Sequence, residues 1–324
     1  MSKIIALASA DWHIHKFRDF DNNGSRLDHC INAAQDIMNR ASSLNVPLLF
    51  AGDLIHSPKN IETETNVRVQ RLFDPKLNPI NIIAISGNHD MSERNTLDSI
   101  SPSHLDSIRN PNFIVLSGTR KSYIKGATVW GIPYMNNPEE FKEIILKLSQ
   151  QCTMEGINWG LKILLLHSDM PGAKTPEGFV IGEVQSIPNH LDEFFKDWDL
   201  VLCGHIHKPQ KLSQKCYMLG CHIQQNMGNR HDALGYWEVY SNATMKFVPL
   251  DNYPKFIQLK KGEEPKDDFN YYVPFGEVLE DEEIETGEFN INYSKKRLAA
   301  TYLKKKNIKS KSKKRALIKI LNEE

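Results

Sequence analysis

Seven side chains able to bind a metal ion occur in five short motifs, and each motif follows an apolar run of strand length. The motifs are Asp11-Trp-His13, Gly52-Asp53-Leu-Ile-His56, Gly87-Asn88-His89-Asp90, His167 and Gly204-His205-Ile-His207. The seven candidate ligands are Asp11, His13, Asp53, Asn88, His167, His205 and His207. Nitrogen and oxygen donors without a thiolate suit Mn²⁺, Fe or Zn²⁺ in a reactive site better than a cysteine-built structural zinc. Two divalent cations held by two carboxylates keep a surplus of positive charge. That surplus suits a phosphoester anion and the further charge of its transition state. A lone Asp-x-His or Gly-Asp carries almost no information; the weight lies in five motifs occurring together and in order.

Converging motifs need elements that aim them at one place. The apolar runs Ile4–Ala10, Val46–Ala51, Ile80–Ser86, Leu161–Leu166 and Leu200–Cys203 are short and apolar on both faces, which suits strands buried between layers. Ala127–Ile132 and Tyr236–Tyr240 read as further strands. Arg26–Asn45 carries Leu27, Ile31, Ala34, Met38 and Ala41 at helical spacing, so it predicts an amphipathic helix between the first two strands. Helices are also expected over Ile61–Phe73, Pro138–Gln151 and Ile187–Trp198. Strand and helix alternation of this kind indicates an α/β layered domain through about residue 250. Ligands fixed at strand ends are held from below while the loops above stay open to substrate.

A length of 324 residues and 40% hydrophobic content allow one large domain with a smaller appendage. The five cysteines form no Cys-x-x-Cys pair and read as thiols, with Cys203 serving as a small hydrophobe in its strand. The chain opens on Met-Ser-Lys and a short apolar strand cut by Asp11. Neither a signal peptide nor a membrane span is expected there, and the reading is cytosolic. Formal net charge is zero, so no global field advertises nucleic acid. The charge is segregated, however: residues 263–288 are acidic and 295–319 basic. A composition break near Asn252-Tyr-Pro254 divides the chain into residues 1–250, a small capping segment over 251–290 and a basic tail over 291–324. Tyr293–Lys306 and Lys313–Asn322 read as two short amphipathic helices in that tail. His222 and His231 fall in a loop and read as ordinary loop residues.

The order DxH, GD, GNHD, H and GHxH over residues 11–207 resembles the calcineurin-like metallophosphoesterase superfamily. The resemblance implies a four-layer α-β-β-α sandwich carrying two divalent ions, expected to be Mn²⁺. It assigns Asp11, His13, Asp53 and His207 to the first metal, and Asp53, Asn88, His167 and His205 to the second, with Asp53 bridging. His89 is left without a metal and would protonate the leaving oxygen or stabilise transition-state charge, with Asp90 able to orient it.

The flanks narrow the subfamily. Protein Ser/Thr phosphatases carry GDxxDRG, whereas Gly52-Asp53-Leu-Ile-His56 has no following Arg-Gly. With Ser86–Asp90 reading SGNHD and Gly204–Gln210 reading GHIHKPQ, the chain is similar to SbcD-type nuclease subunits of recombination and double-strand-break repair. His56 would then sit beside His89 near the leaving group. The loop Cys221–Asp232 departs from the Ser-Pro or Thr-Pro turn usual in those relatives. The resemblance implies double-stranded DNA ends as substrate, a homodimer, and an SbcC-like coiled-coil ABC ATPase as partner. Candidate dimer elements are Arg26–Asn45, Ile61–Phe73 and the Asn95–Ile108 region. Candidate ATPase contacts are Leu298, Tyr302, Leu303, Leu317 and Ile320. Two rival readings are a phosphodiesterase of cyclic nucleotides or other small substrates, and a non-catalytic scaffold of a recombination complex.

Overall fold

The structure, a computed structural model, describes residues 2–17, 25–57, 59–92, 95–96, 101–118, 120–154, 160–182 and 187–273. Its centre is a pair of six-stranded sheets. The first contains β1 (Ile4–Ser9), β2 (Leu48–Ala51), β3 (Ile82–Ile85), β4 (Phe113–Val115), β11 (Gly235–Tyr240) and β12 (Met245–Pro249), in the order β12-β11-β1-β2-β3-β4. The second contains β5 (Lys121–Ile124), β6 (Ala127–Ile132), β7 (Leu161–His167), β8 (Leu200–Gly204), β9 (Gln210–Lys211) and β10 (Cys216–Met218), in the order β5-β6-β7-β8-β10-β9. Strands β1 to β4 run parallel, as do β6, β7 and β8, so within each sheet the motif-bearing strands end on the same edge.

Side-chain alternation builds the layers. On β1, β2 and β3 the residues Ala6, Ala8, Leu49, Ala51, Ile83 and Ile85 face the second sheet, where Ile163, Leu165, Leu200 and Leu202 meet them. Their sequence neighbours Leu7, Leu48, Phe50, Ile82 and Ala84 face outward. There they pack under α1 (Ser25–Leu44), through Leu27, Ala34, Ile37, Met38 and Ala41, and under α2 (Thr63–Leu72), through Val69 and Leu72. On the far side Leu164, Leu166, Val201 and Cys203 pack against α3 (Pro138–Met154), through Phe141, Ile145 and Leu148. The result is the four-layer α-β-β-α sandwich, and it explains why the strands read as apolar on both faces. Every Leu or Ile side chain so buried contributes about 1.5–3 kcal/mol of transfer free energy. All five cysteines are free and buried.

One expected element shrinks. The helix anticipated over Ile187–Trp198 is confined to a single turn, α4 (Leu191–Phe194). Ile187 precedes Pro188, whose ring disfavours helical backbone in the residue before it, so the turn begins later. After β12 the chain adds β13 (Phe256–Gln258) and β14 (Tyr271–Val273), a parallel pair against α1. Tyr253 donates its hydroxyl to Asp36 at 2.6 Å, and the Tyr271 hydroxyl lies 2.9 Å from His29 Nδ1. The two tail helices expected over Tyr293–Lys306 and Lys313–Asn322 lie outside the described residues. Among the described residues no helix is long and apolar enough to cross a membrane.

Candidate metal centre

Beyond the end of β1 and β2 the chain stays zipped for several residues. Asp11 N–H donates to Gly52 O at 2.9 Å, His13 N–H to Asp53 O at 3.0 Å, and Ile14 N–H to Leu54 O at 2.9 Å. This pairing holds the first two motifs side by side, at the cost of unusual backbone. Asp11 (φ 53°), His13 (φ 44°), Asp53 (φ 58°) and His205 (φ 95°) all adopt positive φ. Each such residue costs on the order of 1–3 kcal/mol, so the surrounding contacts must over-determine it. The Asp90 carboxylate supplies several of those contacts. Its Oδ2 accepts from Asp53 N at 2.8 Å and Gly87 N at 2.9 Å, and its Oδ1 from Leu54 N at 2.8 Å and Ile55 N at 3.3 Å. Two glycines leave the necessary room. A Cβ on Gly87 would lie 2.0 Å from Asp53 Oδ1, and one on Gly52 would lie 2.6 Å from both Gly87 N and His167 Nδ1.

The seven candidate ligands are brought together. Asp53 Oδ2 lies 3.5 Å from His13 Nε2 and 3.2 Å from His167 Nε2, while its Oδ1 accepts the His89 N–H at 2.9 Å. His207 Nε2 sits 3.0 Å from His13 Nε2, and Asp11, His13 and His207 place one donor atom each within 4.8 Å of one another. Asp53, His167 and His205 do the same. Asn88 Oδ1 faces His167 Nε2 at 3.1 Å and His205 Nδ1 at 3.2 Å.

The donor chemistry fits divalent metals. His167 gives its Nδ1–H to Ala51 O at 2.7 Å, so in the neutral ring Nε2 is a lone pair directed at two oxygen acceptors, Asp53 Oδ2 and Asn88 Oδ1. Only a cation, proton or metal, reconciles those three atoms. His13 and His207 repeat the problem, since two imidazole nitrogens 3.0 Å apart can share one proton but can both coordinate one ion. His13 Nδ1 is buried without a hydrogen-bond partner.

Electrostatics agree. Burial alone lowers His167, but the Asp53 carboxylate, its hydrogen bond and Asp11 together lift the imidazole to about 9, so the pocket retains a proton where a metal would sit. Burial pushes the Asp11 carboxyl up to about 8, beyond what the His167 charge offsets. Burial also raises Asp53, yet the surrounding histidines, His167 and His89 foremost, outweigh it and hold it well below the carboxylate range. Burial pushes His207 down to about 4 and His13 well below its usual value, which keeps both as neutral donors.

A family model for calcineurin-like phosphoesterases matches residues 6–209. The chain belongs to that family. This calcineurin-like phosphoesterase is 25% identical over 264 residues to the SbcD subunit of the nuclease SbcCD from Staphylococcus epidermidis, covering 75% of this chain and 68% of the relative. Among solved structures it is similar to the calcineurin-like phosphoesterase YfkN of Bacillus subtilis, at 13% identity and a TM-score of 0.46 over 77% of this chain and 89% of the other. It is also similar to a 5'-nucleotidase described as putative from Staphylococcus aureus, at 14% identity and a TM-score of 0.44 over 67% of this chain. The phosphoesterase spans about half of that structure, 48% of its length.

Around the ligands the phosphoesterase places His89 and His56 as neighbours. His89 Nδ1 donates to the His56 carbonyl at 2.5 Å, and the two rings stack with centroids 5.5 Å apart. Asp90, expected to orient His89, is instead committed to four backbone N–H groups, and the His56 carbonyl takes that part. Three nearby side chains escaped the motif reading. Asp169 Oδ1 lies 3.5 Å from His205 Nε2, Tyr134 packs its ring 5.7 Å from that of His205, and His15 stacks on His56 at 4.3 Å. Asp169 and His15 each lie two residues beyond a motif histidine, on the same loop, and that spacing was the available signal. His222 is a core residue rather than an ordinary loop histidine. It is fully buried beside Trp12, with Nε2 donating to Cys30 O at 3.1 Å.

Proposed function

We propose that this phosphoesterase is a Mn²⁺-dependent nuclease that hydrolyses phosphodiester bonds at double-stranded DNA ends. On this reading it serves as the nuclease subunit of an SbcCD-like recombination and repair complex in the cytosol. The observation that carries the reading is the tie between His89 Nδ1 and the His56 carbonyl, in a chain 25% identical to an SbcD subunit. A histidine held through Nδ1 exposes Nε2 as its only proton-exchanging atom, and a DNA alkoxide leaving group needs a proton. Asp11, His13, Asp53 and His207 would hold one metal and Asp53, Asn88, His167 and His205 the other, with Asp53 shared by the two sets. Metals there supply Lewis-acid neutralisation of phosphate charge and a water of lowered pKa. His89 Nε2 delivers the proton to the departing oxygen, His56 fixes the plane of His89, and Asp90 fixes the backbone that presents Asp53. The proposed domains are a nuclease domain over residues 1–250, a capping segment over 251–290, and a tail over 291–324 whose Leu298, Tyr302, Leu303, Leu317 and Ile320 contact an SbcC-like ATPase. Those five residues lie outside the described ones. Self-association through α1, α2 and the Asn95–Ile108 region is part of the proposal, and Val67 on α2 offers an exposed apolar side chain.

The test is hydrolysis of linear duplex DNA, closed circular DNA, cyclic nucleotides and nucleotide esters with Mn²⁺. Preference for linear duplex supports the reading. Turnover confined to the small esters selects a small-substrate phosphodiesterase, and no turnover on any substrate selects a scaffold.

A further inference from the structure

The side chain of His15 belongs to none of the motifs, yet it is tied to the backbone and to the rings beside the candidate metal centre. Its Nδ1 lies 2.7 Å from the carbonyl of His13, and a carbonyl can only accept, so Nδ1 carries the proton and the ring is locked to the backbone of a candidate ligand. One face stacks on His56, at 4.3 Å between centroids and 24° between planes. The ring also meets Phe17, at 3.9 Å and 44°. Phe17 is itself covered by the Arg26 guanidinium, whose Cζ lies 3.7 Å above the ring. Arg26 is 4% exposed and donates to Gln225 O at 2.7 Å, so this buttress is fixed from α1 and from the loop before β11. From His56 the column continues to His89, at 5.5 Å and 23°. Four rings, Phe17, His15, His56 and His89, are therefore linked by successive ring contacts that lead from the buried Arg26 to the histidine beside the candidate centre.

We propose that His15 is a positioning residue for proton transfer by His89, acting through the plane of His56. This deepens the functional reading above and rests on His89 being the proton donor. The physical argument is geometric. His56 holds His89 by one carbonyl bond, and rotation of the His56 side chain would leave the His89 ring without a wall on that side. A donor nitrogen misplaced by about 1 Å loses on the order of 100-fold in rate. His15 removes that freedom because it cannot rotate without giving up its bond to His13 O. The requirement is for a flat ring at this position, not for a charge.

The experiment compares His15→Ala, His15→Phe, His89→Ala and the His15→Ala/His89→Ala double variant on two Mn²⁺-dependent substrates. Linear duplex DNA departs as an alkoxide and needs a proton; bis(p-nitrophenyl) phosphate departs as a stable phenolate and does not. For His89→Ala the reading above requires a large loss of kcat on DNA and a small one on the phenyl ester. If His15 acts through His89, His15→Ala lowers kcat on DNA about tenfold or more. It leaves kcat on the phenyl ester within about threefold, KM unchanged on both, and adds no further loss in the His89→Ala background. His15→Phe restores most of the DNA rate. Equal losses on the two substrates, or an additive loss in the double variant, assign His15 to packing and overturn the proposal. Equal losses for His89→Ala itself remove the proton-donor reading and this inference with it.

Discussion

Asp90→Asn isolates what holds the candidate metal ligands in their strained backbone. The native carboxylate divides its work evenly, with Oδ2 accepting from Asp53 N and Gly87 N and Oδ1 from Leu54 N and Ile55 N. An asparagine of the same shape has one acceptor oxygen and an NH₂ group that can only donate. Whichever way the amide faces, two backbone N–H groups lose their acceptor and point at two further hydrogens. Burial pushes the Asp90 carboxyl up to about 7, so above that pH its hydrogen bonds are to a charged group and contribute about 1.5–3 kcal/mol each, and losing two costs about 3–6 kcal/mol before relaxation. Escape of Asp53 from positive φ returns about 1–3 kcal/mol of that, so taking like ends of the two ranges leaves a net loss of about 2–3 kcal/mol. Relaxation also turns the Asp53 carboxylate away from His13 and His167. Urea denaturation of metal-free wild type and variant measures the stability term, and repeating it with saturating Mn²⁺ measures how much binding stabilises each. The variant should be destabilised by the stated amount and should gain less from Mn²⁺ than wild type. A variant within about 1 kcal/mol of wild type, with full stabilisation by Mn²⁺ and only kcat reduced, would return Asp90 to the role of orienting His89 and refute this account of the loop.

Gly87→Ala places a Cβ 2.0 Å from Asp53 Oδ1, so it should abolish Mn²⁺-dependent hydrolysis. Gly172→Ala, with open space around it and φ of 82°, should cost only the backbone strain, about 1–2 kcal/mol in urea denaturation. Burial holds His222 at about 4, below its unfolded value, so the unfolded chain binds the extra proton between about pH 6.5 and pH 4 and native stability falls as pH drops through that window. The loss should approach about 3 kcal/mol, read as the difference in pH dependence between wild type and His222→Phe in urea titrations. Chelation of metal followed by dialysis should lower the thermal midpoint, and Mn²⁺ should restore it, the midpoint rising with the logarithm of its concentration above Kd. Asp53→Asn should show no such recovery, because it removes charge from the one carboxylate oxygen lying between His13 and His167.

Strands β1, β2, β3, β6, β7, β8 and β11 were legible because they are buried on both faces and so read as continuous apolar runs, whereas the part-exposed β4, β5, β9 and β12 and the three-residue β10 left no such run. The strand order was not legible, since β11 reaches β1 only after the chain has completed the second sheet, and no local pattern encodes that return. The helix expected over Ile187–Trp198 shrank to one turn, its start delayed because Pro188 disfavours helical backbone at Ile187. At the site, motif spacing picked out side chains that the structure brings together, because strand ends fix them. It misplaced Asp90, whose four acceptor bonds arise from folding the second motif over the third. His15 and His222 were passed over for the same reason. A histidine acquires its role from what lies across from it, here His56 and Cys30, and neither contact is near in sequence.

The account stands on two metal ions sharing Asp53. Crystals grown with Mn²⁺ and measured at its absorption edge should give two anomalous peaks about 3.5–4 Å apart. Asp53 Oδ2 should lie between them, with Asp11, His13 and His207 around one and Asn88, His167 and His205 around the other. A single peak, or two peaks that leave His167 Nε2 hydrogen-bonded to Asn88 and Asp53 as it stands without metal, would contradict it.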